Sequence, residues 1–170
     1  MEDYKALVKR LADQKSSETI PNASISHAAV VIENLFSHAD KSIRIFTGEL
    51  NKEVYSLSAV REAAKDFLAK RAGTLEILIQ NLLGAGDISE HQLIRDCLEN
   101  SNCKVQYVTD ENDKKINCHF IVADGRAWRF EPDKNTFEAI ACFNDQDSAK
   151  KLESIFNTIF PRAKELVLNT

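Results

Sequence analysis

The segment Asn117-Cys118-His119-Phe120-Ile121-Val122-Ala123-Asp124-Gly125 carries an amide, an imidazole and a carboxylate along one apolar run. His119 is the member able to do covalent or acid–base chemistry, because imidazole titrates near neutrality and offers a nucleophilic ring nitrogen. Asn117 lacks that capacity, since an amide does not attack a phosphorus centre as an imidazole does. Three roles are open to His119: a half-buried strand residue bonded to nearby backbone or to Asp124, an anion ligand, or a catalytic group. In the next apolar run Arg129 and Glu131 are two residues apart and share a strand face. Arg129 either pairs with Glu131 or Asp124 across a hairpin, or holds an anion with its forked guanidinium. The catalytic candidates are therefore His119, Asp124 and Asn117, and the anion-binding candidates are Arg129 and His119.

The bulk properties limit what these residues can serve. A chain of 170 residues suits one domain with a short appended element. Hydrophobic residues make up 44% and charged residues 28%, enough for a core beneath an ordinary polar surface. The formal net charge of −4 disfavours nonspecific nucleic-acid binding, which needs clustered Lys and Arg, but leaves room for a local basic groove. No apolar run approaches the ~20 residues that span a bilayer. The charged opening MEDYKALVKRLADQ has no signal-peptide core, so a cytoplasmic protein without membrane association is expected. Cys97, Cys103, Cys118 and Cys142 form no C-x-x-C pair and read as reduced thiols. A zinc site from Cys97, Cys103 and His119 matches no standard ligand spacing, so neither metal nor cofactor is expected.

The elements that must position these side chains follow from apolar periodicity. Residues 2–14 suit a short amphipathic helix, and the polar stretch from Asp13 to Ser24 reads as a connector. Ser26 is a candidate cap for a helix to about Ala39. Ser42 to Thr47 reads as a strand, 53–71 as a long helix and Thr74 to Ile79 as a second strand. Gly84 and Gly86 form a turn that lacks a phosphate-loop pattern. Asp87 then caps a helix, with Glu90 as its capping-box partner. Lys104 to Val108 is a third strand. Cys118–Ala123, Ala127–Glu131 and Phe137–Cys142 follow closely, with Gly125 placed for a tight turn. Asp145 starts a final helix that Pro161 interrupts. His27, His38 and His91 have no metal-like spacing and read as surface or interface residues, and Trp128 as core or dimer interface. The alternation of helix and strand favours parallel α/β units, and the late close-set strands make the sheet mixed.

Asp124-Gly125 after an apolar strand, with polar residues at two upstream positions, resembles the H-x-K-x4-D motif of the phospholipase D superfamily. The helix leading into Ser42-Ile43-Arg44-Ile45-Phe46-Thr47-Gly48 fits the same comparison. On that alignment the motif aspartate falls on Asp124, the lysine on His119 and the nucleophilic histidine on Asn117. The resemblance covers about residues 25–165. It implies an α/β fold, a phospholipase-D-like mixed sheet flanked by helices, with an N-terminal helical extension (residues 1–24) ahead of a domain at 25–170. It implies a homodimer, since the family reaction draws on two motif copies. With the nucleophile replaced, it implies a non-catalytic interaction or regulatory module with a protein partner, in a bacterial defence or mobile-element setting. The alternatives are a divergent phosphodiesterase or nuclease with its site at a homodimer interface, and a nucleic-acid-binding accessory protein.

Overall fold

Among the described residues, eight strands form one mixed sheet in the order β1 (Thr19–Asn22), β7 (Ala139–Cys142), β6 (Ala127–Glu131), β5 (His119–Ala123), β2 (Ser42–Thr47), β3 (Thr74–Ile79), β4 (Cys103–Tyr107) and β8 (Lys164–Glu165). The structure is a computed structural model that describes residues 1–82, 90–136 and 138–167. Strands β2 (Ser42–Thr47), β3 (Thr74–Ile79) and β4 (Cys103–Tyr107) run parallel, because helical crossovers return the chain between them. Strands β5 (His119–Ala123), β6 (Ala127–Glu131) and β7 (Ala139–Cys142) continue antiparallel on the other side of β2. Strand β1 (Thr19–Asn22) pairs with β7 at one edge, and β8 (Lys164–Glu165) with β4 at the other. The mixed sheet flanked by helices expected from the sequence is the architecture observed.

Strand alternation builds two cores. Ile43, Ile45, Leu75, Ile77, Ile79, Ile121 and Ala123 face one side. There they meet buried residues of α1 (Glu2–Asp13), α2 (Ile25–His38), α4 (Ser58–Ala69) and α5 (Gln92–Leu98). Phe46, Leu78, Phe120, Val122 and Trp128 face the other side and meet α7 (Gln146–Ile159) through Ala149, Leu152, Phe156 and Ile159. Trp128 is therefore a core residue.

The local differences from the sequence reading have local causes. The cap of α2 is Ser24, not Ser26, because the Ser24 side chain accepts from the His27 amide three residues on, at 3.2 Å. The expected 53–71 helix is two pieces, α3 (Lys52–Tyr55) and α4, since Leu57 takes an extended conformation between them. That break lets Val54 and Tyr55 face the sheet. The polar stretch 13–24 contains β1, in which Ile20 and Asn22 are buried and Thr19 and Pro21 face out, a pattern suited to an edge strand. Helix α7 ends at Ile159 and passes into a 3-10 turn at Phe160–Arg162 around Pro161. The Gly84–Gly86 turn, the Asp87 cap and Phe137 lie outside the described residues.

Candidate functional site

A three-residue loop, Asp124-Gly125-Arg126, sets the register of the site. Asp124 and Gly125 both take positive φ, 52° and 62°, and the Arg126 amide donates to the Ala123 carbonyl at 3.1 Å. Ala123 is thereby opposite Ala127, and the same register puts His119 opposite Glu131. The imidazole Nδ1 of His119 lies 3.2 Å from Glu131 Oε1. Glu131 Oε2 lies 3.0 Å from Arg129 Nη2. Arg129 Nε donates to Asn22 Oδ1 at 2.8 Å, and Asn22 Nδ2 donates to the Ala139 carbonyl at 3.3 Å. Arg129 and Glu131 are each 6% exposed, so this ion pair lies where water screens little.

The ion-pair contact with Glu131 bears on the histidine's chemistry. With Nδ1 beside a carboxylate, the neutral ring carries its proton there and leaves Nε2 as a lone pair. Nε2 is buried without a hydrogen-bond partner and faces Gly48, where an added Cβ would stand 2.9 Å away. Tyr55 lies in the same neighbourhood. Burial pushes its phenol well above the usual range, Arg129 pulls the other way and Glu131 adds to the rise.

These groups open on a cleft of about 1300 Å³ at the end of the sheet where β2, β3 and β4 terminate and β5 begins. That is where ligands bind on open parallel sheets. Thr47, Gln80, Tyr107, His119, Arg129 and Glu131 form part of its wall. Buried Gln80 donates to the carbonyls of Asp113 and Ile116, each at 2.9 Å, and so ties α6 (Glu111–Lys114) beside the cleft. The lining basic residues are Lys52, Lys114, Lys134 and Arg129, and the acids are Glu49 and Glu131. Acids just outside the lining stand against two of these cations, Glu111 at 2.7 Å from Lys114 and Glu90 at 3.9 Å from Lys52.

The loop above His119 is held from a second helix. Leu50 is buried in a left-handed conformation, φ 52°. Its amide donates to Thr47 Oγ1 at 3.2 Å, and its carbonyl stands 2.9 Å from His91 Nε2. His91 is fully buried, which corrects its reading as a surface or interface residue. Burial holds its imidazole below the ordinary value, with Lys52 adding to the effect. A histidine that resists protonation when folded binds more protons unfolded, so its stabilisation is present above the unfolded pKa of about 6.5 and lost as pH falls below it. Urea unfolding is therefore expected to show stability falling from pH 7 to pH 5. His91→Gln, which keeps a donor for Leu50, is expected to flatten that slope. The lowered carboxyls of Asp110, Asp133 and Asp145 act in a separate window, below the ordinary aspartate value of about 3.8.

The structure brings His119 and Arg129 together through Glu131 and places the other two candidates elsewhere. Asn117 is exposed, and its Nδ2 donates to Asp133 Oδ1 at 3.1 Å in the loop after β6. Asp124 lies at the far end of β5 and accepts the amides of Asp40, Lys41 and Ser42 at 2.9, 2.8 and 3.0 Å. Among the described residues no three His, Cys, Asp or Glu side chains form a metal-holding group. Cys103, as hydrogen-bond partner, and burial together push the Cys97 thiol up, while His119 stands with Glu131. The sequence reading missed the His119–Glu131 pair, which depends on Arg126 standing as a third residue of the loop. It missed Asn22 as well, and no local signal marks that residue.

The mixed sheet flanked by helices is a phospholipase-D-like fold. The chain belongs to the family described as Domain of unknown function (DUF7931), which matches residues 24–167. No curated protein matches the sequence. Among solved structures, the chain is similar to TrmBL2, an archaeal chromatin protein with a novel mode of DNA binding, at TM-score 0.64 and 11% identity. That match covers 97% of this chain but only 62% of TrmBL2, so the chain spans less than two thirds of it. It is similar to Nuc from Salmonella typhimurium, a phospholipase D family member, at TM-score 0.62 and 14% identity, covering 89% of this chain and 99% of Nuc. It is also similar to NucT from Helicobacter pylori, at TM-score 0.58 and 14% identity, covering 88% of this chain and all of NucT. Identities this low carry the fold alone. No helix among the described residues is long and apolar enough to cross a membrane.

Proposed function

We propose that this protein is a non-catalytic module of phospholipase-D-type fold. Its cleft receives an anion of the phosphate-ester class, and a protein partner or a second copy of the chain reads the occupied state. The observation that carries this reading is the cleft itself, about 1300 Å³ at the ends of β2, β3 and β4, with Lys52, Lys114, Lys134 and Arg129 among its lining residues. The pseudoenzyme part rests on the groups present. The family reaction needs one imidazole as nucleophile, a second as general acid and lysines on the phosphate. His119 is the one imidazole lining this cleft among the described residues, and Asn117, at the aligned nucleophile position, turns to Asp133.

One observation favours a second reading. His119 Nδ1 is tethered to Glu131 while Nε2 is unpartnered, the arrangement of an activated imidazole. A dimer joining two such rings across its axis would supply both nucleophile and acid, as a divergent phosphodiesterase or nuclease. The similarity to TrmBL2 lends weak support to the nucleic-acid-binding alternative.

One set of assays separates the three. On the first reading, diphenyl phosphate at ten times its dissociation constant raises the melting temperature by a few degrees, from about 1.4 kcal/mol of linkage. Bis-p-nitrophenyl phosphate releases no p-nitrophenol. Release that His119→Ala abolishes would sink the pseudoenzyme reading. A salt-sensitive gel shift with short DNA, with no response to diphenyl phosphate, would move the assignment to nucleic acid.

A further inference from the structure

Each cation lining the cleft but one stands beside a carboxylate. Arg129 Nη2 lies 3.0 Å from Glu131, and its Nε donates to Asn22 at 2.8 Å. Lys114 Nζ donates to Glu111 at 2.7 Å, and Lys52 Nζ lies 3.9 Å from Glu90. Lys134 is the exception. Among the described residues its ammonium has no ion-pair partner. It donates to the neutral Lys114 carbonyl at 3.5 Å, longer than an ordinary N–H···O bond.

This difference decides which cation an incoming anion would meet. Arg129 would have to leave a buried pair, and stranding Glu131 there is costly. Lys114 and Lys52 carry their acids with them, so each presents little net charge. Lys134 gives up one long contact to a neutral group, and its ammonium keeps N–H donors for a ligand. Its charge is also the one that no neighbouring carboxylate offsets, and such a charge on a cleft wall draws anions.

The loop that carries Lys134 is held on both sides of it. Asp133 Oδ1 accepts from the Asn135 amide at 3.0 Å and from Asn135 Nδ2 at 2.8 Å. The Asp133 carbonyl accepts the Thr136 amide at 3.0 Å. Asn117 Nδ2 donates to the same Asp133 oxygen at 3.1 Å and so fastens the loop to the chain entering β5. The half-buried Lys134 is thereby kept at the cleft wall.

We infer that Lys134 is the residue that contacts the anion in this cleft, on a loop that Asp133 and Asn117 hold in place. The inference deepens the anion-binding reading above and rests on it. It assigns the contact to a residue other than Arg129 and His119, both of which stand against Glu131.

The test uses the full chain with diphenyl phosphate as the probe. Light acetylation followed by peptide mass spectrometry reads contact at each lysine. At about ten times its dissociation constant the probe should slow acetylation of Lys134 about tenfold, because only the unbound fraction reacts. Lys52 and Lys114 should react as before. Titration supplies a second measure. Lys134→Met should weaken binding about tenfold, the loss of one charge-assisted hydrogen bond. The double variant Lys114→Met, Glu111→Gln removes that pair without changing the net charge, and should bind within about twofold of wild type. The assignment is overturned if bound probe leaves Lys134 unprotected, if it protects Lys52 or Lys114 instead, or if Lys134→Met binds as wild type does. Each of these leaves the anion reading standing. The acetylation measurement needs no substitution, so it decides even where a variant misfolds. A wild type that does not bind diphenyl phosphate overturns both the assignment and the anion reading.

Discussion

Arg129→Met is expected to lower the unfolding free energy by about 3–5 kcal/mol, the cost of stranding one member of a buried ion pair. Glu131 is 6% exposed, and its Oε2 relies on Arg129 Nη2 at 3.0 Å. The substitution also leaves Asn22 Oδ1 without its donor. Domain stabilities are about 5–15 kcal/mol, so this one change uses a large share of the total. The double variant Arg129→Met, Glu131→Leu separates charge from packing. Replacing a buried pair with apolar groups of similar volume is often neutral. Here His119 Nδ1 and Asn22 Oδ1 still lose their partners, so about half of the deficit should return. Urea denaturation of wild type and the two variants measures this. A single variant within 1 kcal/mol of wild type would mean that Glu131 is not held in the low-dielectric pair described.

Asp124→Ala is the second large effect, expected at about 3 kcal/mol. Its carboxylate accepts three successive backbone amides, from Asp40, Lys41 and Ser42, at 2.8–3.0 Å. Hydrogen bonds to a charged group contribute more than neutral ones, and three amides without acceptors are costly at a chain reversal. The residue also sits at φ 52°, which alanine tolerates less well than aspartate. Together these should lower the melting temperature by roughly 6–12 °C, at 2–4 °C per kcal/mol for this chain length. Asp124→Asn should cost less, since it keeps one oxygen and the turn preference but points an N–H₂ at an amide donor. Because Asp124 stands at the opposite end of β5 from the cleft, both variants should leave diphenyl phosphate affinity intact wherever they remain folded. Loss of affinity in folded protein would contradict that placement.

These two positions also show what the sequence could and could not reveal. The alternation in Ser42–Thr47 and Thr74–Ile79, the Asp-Gly turn and the final amphipathic helix are local signals, and each produced the element expected of it. The His119–Glu131 pairing follows from the loop length, because a third loop residue, Arg126, sets Glu131 rather than Phe130 opposite His119. Asp124 is legible as a turn residue but not as the acceptor for the amides at 40–42, because that contact joins residues more than 80 apart. Asn22 was illegible for the same reason. It reads as one polar residue in a polar stretch, and only the pairing of β1 with β7 brings it to Arg129. His91 has no apolar marker of its own, and only the fold buries it against Leu50. Local periodicity fixes strands and helices, whereas a site made by long-range register appears only once the sheet is assembled.

The central claim is that the cleft binds a phosphate diester and does not turn it over. The most direct measurement is 31P NMR of bis-p-nitrophenyl phosphate mixed with the full chain and followed for a day. The diester resonance is expected to broaden and shift with wild-type protein and never to give way to a monoester signal. A monoester resonance that grows with wild type and is absent with His119→Ala would contradict the account and make the protein an enzyme.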